Sequence, residues 1–337
     1  MRDAKRGGSN DSTSCSWLAL RFVALGLLSA IGCNRDGPSA SRALARPVGV
    51  AASCNGLALT CGPSQSDGCC ESLPVLGGTF DRSYDGVDFL GPKYPASVSD
   101  FYLDKYEVTV GRLRTFVKAG RGTQSKPPIH GEGAHPRIAN SGWNAAWNVH
   151  LAANTEALKA ALKCHETYQS WTDTAGSNES KPVNCLDWYT AFAFCAWDGG
   201  RLPTEAEWNY AASGGSEHRY YPWSNPPQST AIDDSFAAYC GGTCKLLNVG
   251  SKSPKGDGKW GQADLGGNAW EWTLDVAGGA YPMPCADCAA VTGGSYRAFR
   301  SGSNDDIAAT LRSAVRHVYY PDYRGVVGVR CAREAPL

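Results

Sequence analysis

The chain has 337 residues, with 32 basic and 32 acidic side chains that cancel and a charged fraction of only 19%. That balance excludes a nucleic-acid groove built on a basic face and leaves length for one large domain or two small ones. Gly (39) and Trp (11) are abundant, which suits a loop-rich fold in which aromatic rings fill the space between irregular backbone segments.

Arg2, Lys5, Arg6 and Arg21 precede an apolar run, Phe22 to Ile31. At about ten residues it has half the length a bilayer span needs and the length of a signal-peptide core. It ends at Ala30-Ile31-Gly32-Cys33, similar to a bacterial lipobox with Ala30 where Leu is usual. The expectation is a lipoprotein-type signal peptide at 1–32, lipidation of Cys33 and a flexible tether over 33–53. Ordinary signal-peptidase cleavage and an uncleaved anchor are the alternatives. The protein would then be exported and anchored to a bacterial membrane, in the periplasm or at the cell surface. Of fourteen cysteines, Cys15 falls in the removed segment and Cys33 carries lipid; the other twelve are an even number in an oxidising compartment, so disulfides are the default.

Residues 54–72 hold Cys54, Cys61, Cys69 and Cys70 among Gly, Pro, Ser and Asp. This piece is too short and polar for a core of its own, so two disulfides are expected to hold it. Their pairing stays open, except that the adjacent Cys69 and Cys70 should not bridge each other. The main domain is expected from Leu73 to Arg333. Leu73–Phe80 reads as a strand entering a turn, and Phe101–Thr109 as a second strand. Thr109 can cap a helix with Val110, Leu113, Phe116 and Val117 on one face and Gly120 as its stop. A second helix follows Asn184, with Trp188, Ala191, Phe192 and Cys195 in one stripe ending at Gly199-Gly200. A third opens at Thr204, with Glu207 completing a capping box. Beyond Gly214, Gly, Pro, Asn and Asp punctuate short apolar pieces, and the next helix-length pattern is Ile307–His317.

Four stretches together resemble the formylglycine-generating enzyme family, the sulfatase-modifying factor domain. They are FYLDKYEVTVGRLRTFV (101–117), GRLPTEAEWNYAASGG (200–215), DLGGNAWEWTLD (264–275) and GVRCAR (328–333). The resemblance implies an α+β fold with little regular secondary structure, a disulfide-stapled variant of the C-type lectin fold. It also implies an oxidoreductase that converts a substrate cysteine to formylglycine with copper(I) held by two thiolates. Soft copper(I) needs soft thiolates, and from Val291 to Arg330 this chain has no cysteine. If Gly293-Gly294-Ser295 is the family's turn, the thiolate positions fall near Ala298 and Ser303. If Arg300-Ser301-Gly302-Ser303 is the turn, which sits closer to Arg312-Ser313-Ala314-Val315-Arg316, they fall near Asp306 and Ala308. Neither choice gives a sulfur, so copper is not expected.

The resemblance carries over one disulfide, Cys195–Cys331, and omits a second whose positions fall at Ala212 and Ser313. It also implies a structural calcium held by the Asp264 side chain, the Gly267 and Ala269 carbonyls and the Glu271 carboxylate. The set suits a hard cation, and the plain alternative is a turn closed by Asn268 and Glu271 hydrogen bonds. Cys164 and Cys185 flank a polar insertion and are expected to pair. Cys240-x3-Cys244 and Cys285-x2-Cys288 could give zinc four thiolates or the latter a redox dithiol; an oxidising compartment favours disulfides. The six histidines show no metal spacing. The expected function is a non-catalytic binding module for a protein, peptide or glycan. Its recognition surface is placed at Ser303, Asn304, Asp305, Asp306, Arg316 and Arg324, with Tyr319 and Tyr320 beside them. An oxidoreductase with altered chemistry on the same scaffold is the rival.

Overall fold

A computed structural model describes residues 51–242 and 244–334. The expected signal peptide, Cys33 and most of the tether lie outside the described residues. The expected helices form where their caps placed them. Helix α1 (Val110–Lys118) starts at Thr109, whose hydroxyl accepts from Arg112 N. Helix α3 (Trp188–Trp197) is capped by Asp187, and α4 (Glu205–Ala212) has both halves of the Thr204/Glu207 box. A fourth helix, α2 (Thr155–Ala161), lies in the polar insertion with Asn154 as its cap. Its single buried residue, Leu158, left no amphipathic stripe to read. Leu73–Phe80 is two strands rather than one, β1 (Ser72–Val75) and β2 (Gly78–Arg82). The Ile307–His317 pattern is not a helix: a short 3-10 turn over Ala308–Leu311 gives way to extended chain.

Three small sheets carry the rest. Strand β2 pairs antiparallel with β3 (Tyr94–Val98), while β4 (Phe101–Asp104) is flanked by β1 and β9 (Ala332–Glu334). The largest sheet runs β7 (His317–Tyr319), β6 (Tyr296–Arg300), β5 (Trp270–Ala277) and β8 (Val327–Gly328), with the β5–β8 pair parallel. All eight residues of β5 are buried, so it is the centre of the molecule. Trp188 and Trp272 are fully buried and spend their ring N–H groups on the Thr273 and Leu186 carbonyls.

The Cys-rich segment is not a separate module. Its pairings are Cys54–Cys70 and Cys61–Cys69. Tyr106 donates to Asp67 Oδ2 at 2.8 Å, and Arg112 Nε to Ser53 Oγ at 3.0 Å, which ties Ser53, a residue of the expected tether, to the domain. Cys164–Cys185, Cys195–Cys331, Cys240–Cys244 and Cys285–Cys288 are disulfides. Where the second family bridge would lie, Ser313 Oγ donates to Ala212 O at 3.0 Å, and both residues are buried. A hydrogen bond occupies the place of the S–S bond.

Charges lie inside this core, each with partners. Arg112 reaches Asp104 and Asp198, and Arg333 reaches the same two carboxylates. Arg201 grips Glu207 with two nitrogens at 2.7 and 2.6 Å and His135 lies 3.4 Å away; burial opposes them, but together they hold the Glu207 carboxyl well below the usual range. Glu205 takes Arg300 at 2.6 Å and Arg316 at 2.8 Å. Asp275 has no cation in contact; it accepts from Glu205 N and Ala290 N, and burial, with the Glu205 charge second, pushes it up to about 7.

Two predictions follow from this arrangement. Replacing Cys195 and Cys331 together by alanine should remove about 4–5 kcal/mol in the chain-entropy account, because the bridge spans 136 residues; chemical denaturation measures it. For pH, Asp275 binds its proton more tightly folded than unfolded, so its contribution falls as pH rises from about 4 to about 7. Glu207 acts oppositely and loses its contribution as pH falls below about 4. The Tm should therefore peak on the acidic side of neutrality, and Asp275→Asn should flatten the decline toward pH 7.

Candidate functional site

The chain after β6 bends sharply, with Ser301 at φ 100° and Gly302 at φ 82°. Glycine meets the second of these without strain, and the turn delivers Ser303 to Asp306 to one wall of a cavity of about 700 Å³. Asp306 does not face a ligand: its Oδ2 accepts from Ser303 N at 2.9 Å and Ser303 Oγ at 2.6 Å, closing the turn on itself. Asn304 and Asp305 do line the cavity. Asn304 is 7% exposed; its Nδ2 donates to Cys244 O at 3.3 Å, while its Oδ1 has no hydrogen-bond partner among the described residues. A buried amide oxygen left so costs about 1–3 kcal/mol until a donor reaches it.

Most of the rest of the lining comes from two other segments. Thr167–Ser170 and Lys181 belong to the polar insertion that Cys164–Cys185 closes. Cys244–Asn248, Ser251 and Lys252 belong to the loop after the Cys240–Cys244 bridge. Lys181, Lys245 and Lys252 against Asp305 give the cavity a positive excess. Only three-dimensional proximity joins these pieces, which is why the sequence pointed to one wall alone.

The six residues expected to form one recognition surface are not one surface. Arg324 donates to Cys185 O at 2.8 Å and pairs with Asp187, so it braces the start of α3. Arg316 lines a second cavity of about 450 Å³ with Ser83, Phe89, Tyr281, Arg312 and His317. Ser303 and Asp306 are spent on the turn, and Asn304 and Asp305 remain.

The two candidate family turns flank β6, and the aligned positions hold Ala298 and Ser303 or Asp306 and Ala308, without sulfur on either choice. A sulfur pair is nevertheless near. Cys240 N donates to Asp306 O at 2.7 Å, and the exposed Cys244 lines the cavity. A disulfide from another loop thus stands at the cavity wall.

The 264–271 segment forms a tight loop, with Asp264 at φ 57° and Gly267 at φ 97°. Asp264 Oδ2 accepts from Gly250 N at 2.6 Å, and Gly267 O from Ser301 Oγ at 3.1 Å. Glu271 is fully buried and takes Arg330 Nε at 2.8 Å, Arg330 Nη2 at 2.7 Å and Trp208 Nε1 at 2.6 Å. Glu107 accepts from Ala269 N and Asn268 Nδ2. Burial, and then the Asp264 and Glu271 charges, lift Glu107 well above the carboxylate range, and burial lifts Asp264 to about 6. Three carboxylates face one guanidinium, so the charge would suit a divalent cation. The lone pairs do not fit one: Glu271 is already bidentate to Arg330, and a calcium shell needs it open. Among the described residues no group of three or more His, Cys, Asp or Glu is arranged for a metal ion.

Residues 60–335 match the model of the sulfatase-modifying factor enzyme 1-like domain. The chain is 31% identical over 294 residues to a formylglycine-generating enzyme of Streptomyces coelicolor, covering 78% of this chain and 87% of that protein. It is 28% identical over 276 residues to the inactive C-alpha-formylglycine-generating enzyme 2 of Mus musculus, covering 74% and 80%. The solved structure of PvdO from Pseudomonas aeruginosa superposes with a TM-score of 0.54 at 22% identity, over 79% of this chain and 95% of that one, a likeness of fold. The four motifs, the α+β architecture and the Cys195–Cys331 staple together place this chain in the sulfatase-modifying factor family.

Proposed function

We propose that this protein is a non-catalytic, ligand-binding member of its family, exported and held at a bacterial membrane through Cys33. The observation that carries the binding role is Asn304: a buried amide oxygen without a partner, on the wall of a cavity whose lysines outnumber its acids. Such a site takes a ligand that brings an N–H donor and a negative charge, and a peptide with an acidic side chain or a free carboxylate has both. Six disulfides support export, since that density is sustained in oxidising compartments. The absence of catalysis rests on Asp306 and Ala308, which offer copper(I) no thiolate.

The second reading, altered redox chemistry, has one observation in its favour: the Cys240–Cys244 pair at the cavity wall. Reduced, it would present two sulfurs where the aligned positions present none.

A turnover assay separates the two. With copper(I), oxygen and a cysteine peptide carrying the sulfatase motif, no aldehyde is expected from the oxidised or the reduced protein; aldehyde that disappears in a Cys240→Ser, Cys244→Ser double variant would establish the second reading. For the binding role, Asn304→Ala should weaken capture of acidic peptides by about tenfold, the cost of one hydrogen bond to a desolvated group, with the fold intact by circular dichroism. Unchanged affinity would overturn it. Calcium has no part in this reading, because Glu271 is committed to Arg330. Millimolar calcium should leave the Tm unchanged, and a rise of several degrees would return the ion to the 264–271 loop.

A further inference from the structure

Away from the cavity, a buried cation lacks an anion. Arg82, at the end of β2, is 2% exposed, and no carboxylate among the described residues forms an ion pair with it. Its donors go to neutral acceptors: Nε to Tyr94 O at 3.4 Å, Nη2 to Pro282 O at 2.7 Å and Met283 Sδ at 3.4 Å, and Nη1 to Cys288 Sγ at 3.6 Å. The guanidinium lies 4.5 Å from the Tyr281 ring centre. The carboxylates whose charge reaches it, Glu205 and Asp275, are engaged elsewhere: Glu205 with Arg300 and Arg316, Asp275 with two backbone amides. Burying a guanidinium without a counter-ion is costly, and burial pulls Arg82 below its ordinary value. Of the groups in contact that can become anions, burial raises the Tyr281 phenol and keeps it protonated, which leaves Cys288. Cys288 would do so if its bond to Cys285 were opened.

We propose that Cys285–Cys288 is a redox-active pair that exchanges two electrons with a dithiol partner, and that Arg82 is the built-in counter-ion of the Cys288 thiolate. The loop needs no S–S bond to keep its shape. Ser97 N donates to Cys285 O and Asp287 N to Ser97 O, Ser99 holds both Asp287 oxygens at 2.6 and 2.7 Å, and Arg137 sits 3.5 Å from Asp287. Opening the bond therefore leaves the sulfurs near each other, ready to re-form it. Cys285 is 6% exposed and Cys288 partly buried, so an incoming group meets Cys288 first.

In the exchange, a partner thiolate attacks Cys288 Sγ, the S–S bond breaks, and Cys285 leaves as a thiolate that takes a proton from water. The partner's second thiol, deprotonated, attacks the partner sulfur of the mixed disulfide and releases Cys288 as a thiolate facing Arg82. The partner is oxidised to a disulfide and the 285/288 pair is reduced. By stabilising the reduced form, Arg82 makes this disulfide the more oxidising one.

The test equilibrates the full-length protein in glutathione redox buffers, traps free thiols by alkylation and reads each cysteine peptide by mass spectrometry. The Cys285–Cys288 bond should open at a less reducing poise than Cys195–Cys331 and Cys164–Cys185. Arg82→Met should shift its exchange constant by about tenfold toward the disulfide, equivalent to about 30 mV, while Arg82→Lys, which keeps the charge, shifts it less. If the pair opens together with or after the other two, or if folded Arg82→Met leaves its constant unchanged, the proposal fails. Should the methionine variant not fold, the wild-type order of opening and the lysine variant decide.

Discussion

The contact between Arg330 and Glu271 is the constraint on which the remaining structure rests. Both side chains are fully buried and are joined by three hydrogen bonds. Arg330 also donates to the Asp104, Lys105 and Ala263 carbonyls, so one guanidinium joins the end of β4, the 264–271 loop and β5. Its neighbours in sequence repeat the action. Cys331 is bonded to α3, and Arg333 reaches Asp104 and Asp198. A segment four residues long thus ties two sheets, the 264–271 loop and a helix together. This explains how a molecule with short strands and few helices holds a single arrangement: polar groups of fixed geometry, rather than long ladders, set the positions. Removing one partner of such a pair leaves the other as an uncompensated buried charge, the costly half of the asymmetry.

The groove is tied to that framework. The Ser301–Asp306 turn leaves the end of β6, is closed by Asp306 itself, and is held to the 264–271 loop where Gly267 N donates to Ser301 O and Asn304 N to Asn268 O. In this chain the cavity presents amide, carboxylate and ammonium groups, and the positions that the family resemblance assigns to thiolates hold no sulfur. A disulfide from a different loop stands against the same wall. Relatives on this scaffold include both enzymes and an inactive member, so the fold alone does not fix the reaction.

The parts of this molecule readable in the chain were those with local causes. Thr109 and Thr204 announce α1 and α4 because a cap needs only three residues to act, and the four motifs carried the fold because they hold the buried ion pairs. Helix α2 was not readable: one buried leucine in a polar insertion leaves no period. Ile307–His317 misled because its apolar residues fit a helical stripe while Leu311 and Val315 pack against separate clusters. The groove was half legible. Asn304 and Asp305 follow from the turn, whereas Tyr168, Lys181 and Lys245 reach the same cavity from segments far apart, and no pattern within either announces it. Arg82 was invisible for a related reason, since the absence of a carboxylate near a guanidinium is a property of space and not of order along the chain.

The Cys195–Cys331 bond has one more consequence. It closes a ring that includes α4, β5, β6 and the 244–252 and 304–305 parts of the cavity lining. A protease that nicks an exposed loop inside that ring makes two chain ends but not two molecules, for the fragments stay covalently joined and their packing is undisturbed. If the protein is exported as proposed, proteolytic damage to its surface loops would then not release its core.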